Sequence, residues 1–197
     1  INGVIGTFAA VAGNTTTTLN TGALSATTAY RVVVSSGVCT TSTSEPITIA
    51  VSPLSVVKTI TGAGAVCSGS SKVLTLATGS VGTTKWQSNV SDSATAPAAT
   101  DTNWTDIAET TNATTYTAAP TAKTWYRVVA TSGACSSVAS VAVAVTVNQP
   151  TAVGTVSAVA TTVCKGATTT LSLDSATGTI AWQKATVING VIGTFAA

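Results

Sequence analysis

Apolar and polar residues alternate with a period of two wherever the chain is most regular. Along 124–131, Tyr126, Val128 and Ala130 fall on one face; along 138–147, Val141, Val143, Val145 and Val147 do the same. Successive side chains of an extended backbone point to opposite sides, so this period predicts half-buried strands. Shorter strands are predicted at 56–60, 73–77, 84–88 and 114–117, with turn residues between them at Gly79, Gly82, Pro97, Pro120 and Ser132-Gly133. Many short strands at such spacing predict an all-β, antiparallel sandwich of immunoglobulin-like type. Ser132-Gly133-Ala134 closes the hairpin between its last two strands.

The pattern occurs twice. Residues 29–39 (AYRVVVSSGVC) align with 125–135 (WYRVVATSGAC) at an offset of 96, Val66-Cys67-Ser68-Gly69 with Val163-Cys164-Lys165-Gly166 at 97, and Trp86-Gln87 with Trp182-Gln183 at 96. The first ten residues, INGVIGTFAA, return as residues 188–197, a period of 187. Self-similarity at a fixed period is the mark of tandem architecture. The expected organisation is the C-terminal part of a split domain over 1–53, a complete domain over 54–149, and the N-terminal part of the next over 150–197. Pro53 and Pro150 stand at the junctions, where a missing N–H and a fixed φ stop a strand and stiffen a linker. The chain thus reads as a window on a longer periodic polymer whose neighbouring repeats are its first partners.

Composition narrows the function. Eight Lys and Arg against six Asp and Glu, scattered and without His, give a net charge of +2, so no basic face offers a footprint for nucleic acid. Mean hydropathy is positive, yet the longest apolar candidate, 138–147, is broken by Ser140 and Thr146 and falls short of the roughly 18 residues that cross a bilayer. No membrane insertion is expected. No nucleophile is spaced beside a base, no carboxylate pair recurs in both modules, and no glycine-rich phosphate loop follows a strand. The expectation is a protein that is not an enzyme and takes no cofactor.

Trp86 and Trp182 share one register on the third strand, and Tyr30 and Tyr126 share another at the start of the penultimate strand. Recurrent large aromatics of this kind are expected in the core, Trp86 and Trp182 spanning the gap between sheets; a sugar-stacking platform is the functional rival. Trp104 and Phe8 also share a register and are expected to cover the open end of the core, beside Ile107 and Val11. The four cysteines fall two to a module, with neither CxxC nor His to suggest zinc. Cys67 with Cys135 is the favoured bridge, leaving Cys39 and Cys164 to pair with neighbouring units; a staple between adjacent domains, or free thiols, is the alternative, and any disulfide places the chain outside the cytoplasm. Asp92, Asp101, Asp106 and Glu109 lie in one segment, where hard oxygen ligands suit Ca²⁺, but their spacing matches no EF-hand and the split module lacks them. No metal is expected.

Trp86-Gln87, 103–107 (NWTDI), 113–117 (ATTYT), 125–129 (WYRVV) and 132–137 (SGACSS) together resemble the immunoglobulin-like repeats of giant surface proteins of Bacteroidota. The resemblance covers the middle stretch fully and the split one more loosely, where Phe8 replaces the tryptophan and Thr15–Thr18 stand where the Tyr116 segment should be. It implies export by a type IX secretion system, attachment to the cell surface, and service as the stalk of an adhesin for attachment or gliding motility. It also implies O-glycosylation at Asp-Ser-apolar triplets, with Ser93 and Ser175 the candidates. Partners would be the secretion and surface-attachment machinery. Rival functions are a carbohydrate-binding array, with Trp104 and Trp125 facing surface polysaccharide, accessory repeats of a secreted hydrolase, and a laterally bundled surface layer.

Overall fold

A computed structural model describes residues 5–195. It is all-β. The first stretch carries four short strands, β1 (Thr28–Tyr30), β2 (Val33–Val34), β3 (Ser42–Thr43) and β4 (Ile47–Ile49), paired β1 with β4 and β2 with β3. The middle stretch carries β5 (Ile60–Thr61), β6 (Gly64–Cys67), β7 (Lys72–Leu76), β8 (Thr83–Val90), β9 (Thr105–Asp106), β10 (Thr115–Ala118), β11 (Thr124–Thr131), β12 (Val138–Ala139) and β13 (Val143–Asn148). The last has β14 (Thr155–Ala158) against β15 (Leu171–Asp174) and a small hairpin of β16 (Val187–Ile188) and β17 (Val191–Ile192).

The middle stretch is a sandwich. One sheet runs β10-β7-β5, the other β6-β13-β11-β8-β9, with β12 beside β11. Pairing is antiparallel except that β6 lies parallel to β13, Cys67 opposite Asn148. The first strand has switched sheets to cover an edge, the order of an immunoglobulin-type sandwich. Inward positions of both sheets meet: Leu74 and Leu76 from one, Trp86, Tyr126, Val128 and Val145 from the other. Trp86 is fully buried and its Nε1 donates to the Ala113 carbonyl at 2.9 Å, so the indole fills the gap without stranding its donor. Tyr116 bridges it to Tyr126, with centroids 5.9 and 5.7 Å apart.

The strand expected over 138–147 is interrupted. Ser140 folds back on Val128, accepting its N–H on Oγ at 3.0 Å and donating its own N–H to the Val128 carbonyl at 2.8 Å. The face is thereby broken, and Val141 stands 79% exposed while Val145 is fully buried. Two strands were not legible as alternation: β6, four residues long with glycine at its start, and β9, only two residues long.

The flanking stretches reproduce the pairings of the middle one. Thr28 pairs Ile49 and Tyr30 pairs Ile47, as Thr124 pairs Val145 and Tyr126 pairs Val143; Val33 pairs Thr43 as Val129 pairs Ala139. Ser44 clasps Val32 in both directions as Ser140 clasps Val128. In the last stretch the bridge Ala152–Thr177 matches Val56–Val81, and Val156 opposite Leu173 matches Ile60 opposite Leu76. Among the described residues neither flank builds a core. Val32, Val33, Ile47, Val156 and Leu171 all remain exposed.

Candidate functional site

The flanks owe their exposure to the strands they lack. In the middle module β11 is gripped on both edges, by β13 and by β8, and β8 is in turn paired with β9. In the first stretch β1 stands for β11, β4 for β13, and the segment around Phe8 for β9. Among the described residues nothing stands for β8. A groove of about 950 Å³ occupies that place, lined by Phe8 and Ala10 on one side and by Thr28, Tyr30, Thr48 and Ala50 on the other. The segment matching β8 by sequence is 179–186, at the far end of the chain, where Trp182 is 53% exposed. Within 150–195 Trp182 has no second sheet over it, so its expected place in the core of a whole module is not reached among the described residues. The strands that would cover it, equivalents of β10, β11 and β13, are not supplied by 150–195. Tyr30 is half-buried and lines the groove for the same reason.

Trp86 and Tyr126 take the core places expected of them. Burial pushes the Tyr126 phenol up to about 12, helped by the neighbouring Tyr116, against a small opposing effect of a Thr124 hydrogen bond.

Trp104 does not close the core. Gln87 pairs Asp106 and Ser88 pairs Thr105, so alternation sends Thr105 and Ile107 to the core side and Trp104 and Asp106 to the outer face. There Arg127 lies over the Trp104 ring at 4.1 Å, donates through Nε to Gln87 Oε1 at 2.7 Å, and through Nη1 to the Ala99 carbonyl at 3.0 Å. Burial lowers the guanidinium's proton affinity, with Asp101 acting the other way. Gln87 and Lys85 each donate to a different oxygen of Asp106 at 2.8 Å, holding its carboxyl below the usual range. Arg31 lies over Phe8 at 4.2 Å in the first stretch, the same stack at the same register. Sequence reasoning missed these arginines as functional parts of the fold; their recurrence beside Tyr30 and Tyr126 was the available signal.

With its ring covered by Arg127 and its Nε1 donating to Ala98 at 2.9 Å, Trp104 is spent on packing. Trp125 is half-buried with Lys123 Nζ 5.4 Å from its ring centroid. The four acids do not gather: Asp106 is held as above, Asp101 accepts from the Asn103 N–H at 2.8 Å, and no cluster of three metal-binding side chains occurs among the described residues. Ser93 and Ser175 are both exposed, Ser93 in the loop after β8 and Ser175 just past β15 with φ of 58°.

The cysteines require a correction. All four are free, and Cys67 and Cys135 lie at opposite ends of the larger sheet. Cys67 is opposite Asn148, beyond the end of β11 that starts at Thr124; Cys135 is in the hairpin beyond Thr131. Eight strand residues separate those ends, roughly 24 Å, far outside the roughly 7 Å Cα spacing a disulfide tolerates. Cys135 instead meets the linker: its thiol points at the Ser52 and Pro53 carbonyls at 3.6 and 3.4 Å, and the Ser132 N–H donates to Ser55 Oγ at 2.9 Å. Docking of this hairpin on the linker is a contact that spacing alone did not reveal.

No curated protein matches this chain. A family model described as Domain of unknown function (DUF8696) matches it over residues 2–53 and again over 56–149. These two stretches make up most of the chain, and the protein belongs to the DUF8696 family.

Proposed function

We infer that this chain is a structural segment of a long extracellular filament, a cell-surface stalk of tandem β-sandwich modules with no catalytic duty. The observation that carries this is the open groove in the first stretch together with the exposed strand and tryptophan in the last. One lacks a β8 equivalent, the other holds the segment that matches β8 by sequence, 179–186, and both repeat registers of the complete module. Residues 179–186 of one copy fill the groove of the next, so that 150–187 and the following 1–53, joined through the shared decapeptide, make one module. Each module then buries its own core, stability is nearly additive along the string, and reach scales with repeat number. Where strands run along the fibre, tension shears many ladder hydrogen bonds together. The resemblance to giant Bacteroidota adhesins supports placement on the cell surface, with attachment or gliding as the task and type IX export as the route.

Chains of one, two and four consecutive copies of the 187-residue unit test this by small-angle scattering. The longest dimension is expected to rise by a constant increment per copy. A particle that grows in girth instead would favour lateral bundling and sink the stalk.

A further inference from the structure

We propose that consecutive modules are stapled by disulfides across each junction, the hairpin cysteine of one module bonding the second-strand cysteine of the module before it. This rests on the tandem arrangement proposed above. It is built by superposing two half-junctions that the chain presents separately.

The first half-junction is the contact of Cys135 with the linker. Its thiol lies 3.6 Å from the Ser52 carbonyl, and Ser52 holds the register position of Asn148, 96 residues on. The second is the pairing of Cys67 with Asn148, where the next N–H, of Ser68, donates to the Asn148 carbonyl at 2.9 Å. Neighbouring strands run about 4.8 Å apart, so the Cys67 backbone lies one strand spacing from Asn148. Cys67 is exposed while Val66 before it is buried, so its thiol faces away from its own core. Cys164 occupies the Cys67 position of the split module, and the turn after it closes alike: Ala167 N–H to the Cys164 carbonyl at 2.9 Å, as Ser70 N–H to the Cys67 carbonyl at 2.9 Å. Overlaying the two half-junctions brings Cys135 of one copy to Cys164 of the preceding copy, both against Ser52. By the same overlay Cys39 meets Cys67 of the preceding copy, both against Asn148.

The hairpins bear this out by contrast. Gly37 and Gly133 share φ of 52°, but a Cβ on Gly133 would collide with the Ser52 side chain while one on Gly37 meets nothing within 4 Å. Gly133 has its linker beneath it; Gly37 awaits the linker of the copy before. Thr151 stands in the place of Ser55, offering a hydroxyl to the Ser36 N–H of the following copy as Ser55 does to Ser132. Spacing alone suggested Cys67 with Cys135; the geometry pairs each of them outward instead, and all four cysteines find equivalent roles.

The step is an oxidation. Two thiols lose two protons and two electrons as the S–S bond forms. The acceptor is a low-molecular-weight or protein disulfide, which is cleaved to two thiols by exchange through a mixed disulfide.

The test is a chain of two consecutive copies, incubated with oxidised glutathione and mapped by mass spectrometry of unreduced peptides. The expected products are Cys67 joined to Cys39 of the second copy and Cys164 joined to Cys135 of the second copy, with the remaining four thiols still alkylatable. Cys39→Ser in the second copy should free Cys67 and leave the other bond intact. A parallel hydrogen-exchange measurement on the reduced chain reads whether the module across the junction folds. If it folds and all eight thiols stay alkylatable, or Cys67 joins Cys135 of its own module, the staple is wrong and the tandem arrangement stands. If it does not fold, both fall.

Discussion

At the residue scale, one tryptophan position has two fates. Trp86 is fully buried and Trp182 is half exposed, though the two share a sequence context. Trp86→Ala should cost the middle module about 3–5 kcal/mol, the range for truncating a buried indole. Trp182→Ala should leave the unfolding of a single copy within about 0.5 kcal/mol and cost as much as Trp86→Ala once a second copy follows. Urea denaturation of one- and two-copy chains measures both. The ionisable side chains add pH dependence with opposite ends. Tyr126, raised to about 12 by burial, keeps a proton that the unfolded chain gives up near pH 10. Its contribution is whole below pH 10 and drains away as pH rises through 12; Tyr126→Phe should flatten that decline in urea midpoints. Asp106 is depressed by Lys85 and Gln87, so its contribution is present above the ordinary carboxylate range and lost as pH falls through its lowered value. That pair is exposed, and Asp106→Asn should cost on the order of half a kcal/mol at neutral pH and nothing in strong acid.

At the element scale, parity governs what alternation can say. Tyr126, Val128 and Ala130 were legible as one buried face, and all three are buried. Trp104 was not, because its side depends on the register of a two-residue strand against β8, and a shift of one residue reverses every side chain. The expected face through Val141, Val143, Val145 and Val147 failed at Val141, where Ser140 breaks the strand. The hairpin at Ser132-Gly133-Ala134 was legible from its glycine: the Cys135 N–H donates to the Ser132 carbonyl at 2.9 Å, and the positive φ of Gly133 suits the first central position of a type II′ turn. Gly133→Val adds backbone strain to the collision with Ser52. A cost of about 1–2 kcal/mol should lower the melting temperature of the middle module by roughly 5–10 °C, read by calorimetry.

At the scale of the whole molecule, the described residues hold one sandwich with a buried core, flanked by two stretches that repeat its registers without one. Amide exchange in a single copy should protect β7, β8, β11 and β13 to the level of global unfolding, while β1, β4, β14 and β15 exchange near the rate of fraying segments. Joining a second copy should raise protection of β14 and β15 in the first and of β1 and β4 in the second. Low charge and Thr-rich strands leave the open edges able to pair with other chains, so under the proposed tandem arrangement completion by a neighbouring repeat would also cover those edges.

Local covalent order sufficed for everything that depends on neighbours in sequence. Period two set the strands, Gly and Pro set the turns, and recurrence at 96 and 187 residues marked the modules. Which cysteine faces which, which side of the sheet Trp104 occupies, and how the hairpin sits on the linker depend on where distant strands end in space. A spacing of 68 residues between Cys67 and Cys135 is silent on whether they share an end of the sheet. Only the parallel pairing of β6 with β13 and the full length of β11 set them apart, because chain separation fixes how far two residues can be, never how near they are.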